Sequence, residues 1–226
     1  MNPRTVDRLT GARRSGGLKL ALPKGALWGE TVEILDKVGI DTAELRSDSR
    51  AMTFEAEALT LVTMRPSDVP TYVEAGAADL GITGKDVLLE QRDRVVYELL
   101  DLDYGNCRMV LAAPEGDESL EEAQRRLGAM RIATKYPRIA ERHFEDTGRQ
   151  AEVIEVKGSV ELAPLVGLAD GIIDMVQTGR TLKENGLEVR EEIATSSARL
   201  VANRVSHKLR AEEVDELVER LREVTS

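Results

Sequence analysis

The sequence has a single cysteine, Cys107, which excludes an internal disulfide. Two histidines and that one cysteine cannot supply a Cys/His zinc site. Aromatic residues make up only 3% of the 226 residues, so leucine, isoleucine, valine and alanine must build the core. No run approaches the ~18 apolar residues of a transmembrane helix, so membrane insertion is not expected. An excess of basic charge is also missing. The 31 lysines and arginines are outnumbered by 41 aspartates and glutamates, giving a net charge of −10. That balance argues against a nucleic-acid partner. It leaves anionic small molecules open, because a few local donors hold a phosphate on an acidic protein. Residues 1–17 carry Arg4, Arg8, Arg13 and Arg14. The Arg13–Arg14 pair invites comparison with a twin-arginine export signal, but LKLALPKGALW (18–28) is broken by Lys19, Pro23 and Lys24. The segment reads as a flexible N-terminal tail, and the chain as a cytoplasmic protein.

What is present is a 42% hydrophobic chain in which short apolar runs alternate with helical patterns. Strands are expected at 18–22, 58–64, 79–83, 95–102, 107–114, 130–134, 152–156, 171–176, 187–194 and 198–205. Helices are expected at 27–39, 69–76, after Asp86, at 118–127, at 137–148, at 160–168 with Ser159 as cap, before Gly186, and at the C-terminus. There Val214, Leu217, Val218, Leu221 and Val224 share one face. Near-continuous apolar strands alternating with helices imply an α/β fold with mostly parallel sheets covered on both faces. The pattern occurs twice, before and after about residue 104, so two lobes are expected. Residues 18–104 plus 187–226 form a discontinuous lobe I, and 105–186 form lobe II. Ligands in such folds sit beyond the carboxyl ends of the strands, here in the cleft between lobes.

The segment DGIIDMVQTGRTL (170–182) carries the most chemistry. An apolar strand runs through Asp174 into Thr178-Gly179-Arg180-Thr181 and a helix. Gly179 permits positive φ or close backbone approach, and Thr178 and Thr181 offer hydroxyls. Main-chain N–H groups at the helix start complete a cradle for phosphate. Asp174 is placed to accept hydrogen bonds from two vicinal hydroxyls. Phosphate beside a diol describes a ribose 5-phosphate; a plain strand–helix turn with a capping threonine is the other reading.

Residues 161–187 resemble the signature of the ATP phosphoribosyltransferase family. Glu161, Gly167, Ala169, Ile172, Asp174, Thr178, Gly179, Thr181 and Leu182 fall in its register. LALPKG (20–25), RPSDVPTYVEAGAADLGITGKDVLLE (65–90), YELLDLDYGNCRMVLA (97–112) and RIATKYP (131–137) resemble further family segments. The resemblance implies two lobes of periplasmic-binding-protein type II topology. It also implies transfer of the phosphoribosyl group of phosphoribosyl pyrophosphate to N1 of ATP, with Mg2+ as cofactor carried on the substrate phosphates. Such a reaction opens histidine biosynthesis. For site residues it implies Lys24 and Arg50 as catalytic cations. Gly158, Ser159, Glu161, Asp170, Asp174, Thr178, Gly179, Arg180 and Thr181 are expected to bind the sugar donor, and Arg65, Gly81, Thr83, Lys85 and Asp86 to bind ATP. Bare sequence allows duller roles: an Arg65–Asp68 ion pair, an Asp86 helix cap, solvated lysines. Family members often read Lys-Gly-Arg after the first strand, whereas Ala26 stands here, so one leaving-group contact is expected to be absent or supplied elsewhere. The length resembles the short, catalytic-subunit form. That form implies a homodimer within a hetero-oligomer containing a regulatory subunit similar to histidyl-tRNA synthetase. A periplasmic-type receptor and a phosphoribosyltransferase for another base are the rival readings. His143, His207 and Cys107 are expected to be structural.

Overall fold

A computed structural model describes residues 17–225 except 48–49, 57, 117–119, 121, 124, 126 and 127. The expected tail, apart from Gly17, and much of the expected helix 118–127 lie outside the described residues.

In the first sheet, β1 (Leu18–Pro23) is central and almost wholly buried, because its apolar side chains serve both faces. It lies parallel to β3 (Leu59–Met64) on one side and β4 (Leu80–Gly84) on the other. Antiparallel strands β2 (Thr53–Ala56), β11 (Ala198–Asn203) and β5 (Val96–Asp101) extend the sheet to six. Helix α1 (Trp28–Lys37) and the C-terminal helix α7 (Ala211–Val224) cover one face, packing Leu35, Leu217 and Leu221 over Leu20, Leu22 and Leu61. Helix α2 (Val69–Glu74) covers the other, with Val69 and Val73 against Ala21 and Val201. Helix α3 (Lys85–Glu90) follows β4 directly.

The second sheet has the order β10–β6–β9–β7–β8. Strands β7 (Met130–Thr134), β8 (Ala151–Glu155) and β9 (Gly171–Val176) are parallel. Strands β6 (Cys107–Pro114) and β10 (Leu187–Ser196) are antiparallel additions beyond β9. Helix α4 (Pro137–Asp146) packs Ile139, Ala140 and Phe144 onto one face. The short helices α5 (Leu162–Leu165) and α6 (Arg180–Glu184) bring Ala163 and Leu182 to the other. Both sheets are thus mixed: the first has antiparallel pairings towards both margins, the second only on the β6–β10 side, while β8 at its other margin is parallel.

The strand expected at 187–194 was assigned to lobe I; this is corrected. β10 pairs with β6 from Leu187↔Pro114 to Ser196↔Cys107, so it belongs to the second sheet. The turn at Gly186, whose carbonyl accepts the Glu115 N–H at 2.9 Å, hands the chain to the neighbouring edge of the same sheet. The return to the first sheet happens only between Ser196 and Ala198, at the start of β11. There the two crossings lie side by side: Leu102 N–H bonds Ala198 O and Ala198 N–H bonds Tyr104 O, both at 2.9 Å.

Side chains also join the two sheets' helices. The Glu90 carboxylate accepts the Arg138 and Ile139 N–H groups at 3.1 and 3.0 Å, at the positive start of α4. Arg138 adds an ion pair to Asp93 at 3.0 Å. The Tyr136 hydroxyl donates to Asp86 Oδ2 at 3.3 Å, and Ser196 Oγ donates to Asp86 Oδ1 at 3.0 Å. Tyr136 follows β7 and Asp86 follows β4, so the carboxyl ends of these two strands meet.

Candidate active site

The side chains of Ile172, Asp174 and Val176 share one face of β9. Two of them are core, while Asp174 turns a carboxylate into a cavity of about 220 Å³. Thr178, Gly179, Arg180, Thr181 and Glu161 also line that cavity. The volume is below the ~300–1,000 Å³ of drug-sized pockets and suits one sugar phosphate. Gly179 adopts φ 75° at the helix cap, a conformation that disfavours any side chain. This kink aims the first amides of α6 outward, where no intrahelical carbonyl reaches them. The Arg180 N–H meets Thr178 Oγ1 at 3.4 Å, and the Arg180 side chain pairs with Glu184 at 2.7 Å. Arg180 therefore contributes its main chain to the cavity and keeps its guanidinium on the surface.

Asp174 is only 8% exposed. Burial pushes its carboxyl above the ordinary carboxylate range, and nearby Glu161 adds to this. The Met175 N–H on Oδ1 at 2.8 Å and Lys135 Nζ, 3.5 Å from Oδ2, pull the other way. Lys135 is a site residue that the sequence reading missed. Its signal was available: Lys24, Arg65 and Lys85 each follow a strand of the first sheet directly, and Lys135 follows β7 in the same manner.

Asp170 does not join the cavity, which corrects its assignment to the donor site. It lies at the amino end of β9. There its Oδ2 accepts the Arg131 N–H at 2.8 Å and its Oδ1 the Arg131 Nη2 at 2.7 Å. Burial alone would raise its carboxyl, but these Arg131 donors hold it below the ordinary range. Gly158 and Ser159 are exposed and do not line the cavity. Nor does Ser159 cap a helix at 160. Glu161 occupies the cap position of a helix only four residues long, which Gly167 at φ 73° follows closely.

At the first sheet, the register Pro23↔Met64 sets Lys24 and Arg65 beside each other at the carboxyl ends of β1 and β3. Antiparallel β2 brings Arg50 towards the same end, since Met52 O accepts the Thr63 N–H at 2.8 Å. Lys24, Arg50 and Arg65 are exposed and form no ion pair among the described residues; the Arg65–Asp68 pair is not made. Lys85 is held by Glu98 at 2.6 Å. Asp86 lies between the sheets, accepting from Ser196 and Tyr136 as described above. Burial drives the Tyr136 hydroxyl far above its ordinary value, and Asp86 and Asp174 add to the effect, so Tyr136 stays a neutral donor.

Two residues expected to meet ATP are instead structural. A Cβ on Gly81 would lie 2.5 Å from Val69 Cγ1 and 2.9 Å from Val73 Cγ2, so this glycine admits α2 rather than adenine. Thr83 is fully buried and donates to Pro66 O at 2.9 Å, tying β4 to the turn after β3. Of the groups expected to be structural, His143 bonds Glu191 at 3.1 Å under β10, away from the cavity, and Cys107 is half-buried at the crossing.

The family model described as HisG: ATP phosphoribosyltransferase matches residues 65–223. The ATP phosphoribosyltransferase of Rubrobacter xylanophilus is 52% identical over 199 residues, covering 88% of this chain and 92% of that protein. That of Symbiobacterium thermophilum is 50% identical over 212 residues, covering 92% and 95%. Among solved structures, the ATP phosphoribosyl transferase (HisG:HisZ) complex from Thermotoga maritima matches with a TM-score of 0.77 at 39% identity, covering 92% of this chain and 98% of that one. The periplasmic aliphatic sulphonate binding protein SsuA of Escherichia coli matches at 0.60 and 12% identity, covering 92% and 72%, a likeness of fold alone. A family match across most of the chain, relatives near half identical over almost their full length, and a cavity built from the signature segment agree: the chain belongs to the ATP phosphoribosyltransferase family.

Proposed function

We infer that the protein transfers the 5-phosphoribosyl group of phosphoribosyl pyrophosphate to N1 of ATP, the first step of histidine biosynthesis. The observation that carries this reading is the Asp174 to Thr181 cavity, a carboxylate and an amide-rich turn at one strand end. Asp174 receives the ribose hydroxyls, and the amides and hydroxyls of Thr178–Thr181 receive the 5-phosphate. The adenine N1 lone pair forms the new bond to C1. The C1–O bond breaks, and its electrons leave with pyrophosphate. N1 carries no proton that must first be removed, so a strong base is not required. Positive charge grows on the ribose and negative charge on the leaving group. Alignment and fixed charge then lower the barrier, by several kcal/mol for an in-line arrangement.

Lys24, Arg50 and Arg65 form a cationic rim that supports binding and departure of the phosphates, with Lys85 and Asp86 beside it for ATP. On this reading Mg2+ would be carried by the substrate's phosphates, where it would offset the charge of the leaving pyrophosphate. The protein's own share in this reading is the charge of these side-chain cations. The partner reading is a homodimer within an assembly like the HisG:HisZ complex named for the Thermotoga maritima relative. A cytoplasmic setting is consistent with a lone half-buried cysteine and with no described helix being long and apolar enough to cross a membrane.

An absorbance assay with ATP, phosphoribosyl pyrophosphate, Mg2+ and the cognate regulatory subunit tests the activity. Product formation is expected, and its absence overturns the reading. Phosphoribosyl pyrophosphate should also raise the melting temperature while free amino acids do not, which separates the enzyme from a receptor of the same fold.

A further inference from the structure

A carboxyl group receives hydrogen bonds from two hydroxyls best when it is ionised, and Asp174 is poorly placed to be so. It is 8% exposed, and Glu161, another acid, lines the same cavity. The surrounding elements offer it little help. On β6, Val110 stands directly opposite, and Arg108, level with Val176 on the same side of that strand, is paired to Glu192 at 3.0 Å. Arg180, on the turn after β9, is paired to Glu184. Tyr136, from the end of β7, is neutral and turned to Asp86. Met175 gives its N–H. The cation within ion-pair distance of Asp174 is Lys135, Nζ to Oδ2 3.5 Å, on a side chain 39% exposed.

We propose that Lys135 is a positioning residue, whose ammonium keeps the Asp174 carboxylate charged and turned towards the ribose hydroxyls without itself binding the sugar donor. This deepens the functional reading and rests on it. It assigns the lysine after β7 a task different from that of Lys24 after β1. Lys24 is free for a phosphate, whereas Lys135 serves a carboxylate of its own protein. Loss of Lys135 leaves Asp174 facing burial and Glu161 with only one main-chain donor. Protonation then sets in at higher pH, and a protonated acid turns one of its two oxygens into a donor and holds the hydroxyls more weakly.

Two measurements on the full chain test this. The first is a 13C titration of the aspartate carboxyls, with the Asp174 resonance identified by its loss in Asp174→Asn. The midpoint should rise by about one pH unit in Lys135→Met and stay near wild type in Lys135→Arg. The second is calorimetry of phosphoribosyl pyrophosphate in the presence of the regulatory subunit. In Lys135→Met the acid limb of binding should move upward by the same interval, about tenfold in affinity on that limb, while ATP affinity holds. An unmoved carboxyl midpoint overturns the proposal. So does a loss of sugar-donor affinity equal at every pH, which would make Lys135 a direct ligand contact. Lys135 is partly exposed at a strand end, so both variants should fold. Failure of the wild type to bind phosphoribosyl pyrophosphate would sink the functional reading instead, while the carboxyl titration would still judge the ion pair.

Discussion

Asp170 and Asp174 lie near opposite ends of one strand, and their surroundings set them to opposite work. At the amino end, Asp170 is clasped by the Arg131 main chain and guanidinium, and its charge is favoured by folding. Towards the carboxyl end, Asp174 is buried with one adjacent N–H and a lysine at 3.5 Å, and its charge is disfavoured. The first carboxylate is saturated by the protein. The second has acceptor capacity left over and faces a cavity. Buried polar groups that the protein does not satisfy are where a ligand can supply the missing partners. β9 thus carries a stabilising end and a binding end.

The sharpest way to break this comparison is Asp174→Ala. Two hydrogen bonds to an ionised acceptor, at roughly 1.5–3 kcal/mol each, correspond to roughly two to four orders of magnitude in affinity for phosphoribosyl pyrophosphate. ATP affinity should be unchanged, and the protein should fold normally, because an unfavourable buried charge has been removed. Calorimetry with each ligand checks it; equal losses for both would reject the assignment. Asp170→Asn should do the reverse. The Arg131 clasp loses its charge, discounted because the arginine side chain is 41% exposed, and the melting temperature should fall by roughly 2–4 °C. Sugar-donor affinity should stay within about twofold, as for a site that shares no partner with the ligand. A larger loss would return Asp170 to the site. Thr181→Val deletes one hydroxyl donor to the charged phosphate, half of what Asp174→Ala removes, at roughly 1.5–3 kcal/mol. It should weaken the sugar donor by roughly one to two orders of magnitude and leave ATP alone, by the same titrations.

How far the sequence revealed these ends depended on what kind of information each needed. LKLAL, DLGIT, MRIAT and GIIDMV are near-continuous apolar runs, and each is a central strand. The edge strand β10 is different, with six of its ten positions polar. Its pattern announces a strand but not which sheet will pair with it, and it went to the wrong lobe. The cradle was legible because Asp, Thr, Gly and Thr are spaced along one continuous turn. Residue type alone failed where the destination of a side chain depended on another element. Gly179 and Gly81 look alike in sequence. One takes φ 75° at the cavity, and the other makes room for Val69 and Val73. Thr181 and Thr83 divide the same way. Arg131 was the hidden partner of Asp170 and Lys135 that of Asp174, each brought from β7 by a parallel pairing that local spacing cannot show.

The finest test of the comparison is the sign of the pH dependence of stability, measured by denaturant unfolding of wild type, Asp170→Asn and Asp174→Asn. An unfolded aspartate titrates near 3.8. Asp170 is held below that value in the fold. Its contribution is therefore fully present above the unfolded value and is lost as pH falls towards the folded one. Wild type should lose its advantage over Asp170→Asn as acid is added below about pH 5. Asp174 is held above 3.8, so the folded state takes up its proton first. Wild type should gain on Asp174→Asn as pH falls from the raised folded value towards the unfolded one. Each slope is bounded by about 1.4 kcal/mol per pH unit for one proton, and the real slopes will be a fraction of that. Two difference curves of opposite sign from a single strand would separate the saturated carboxylate from the waiting one without any ligand present. Curves of the same sign would show that the cavity carboxylate is as well satisfied as its neighbour, and the division of β9 into two ends would fail.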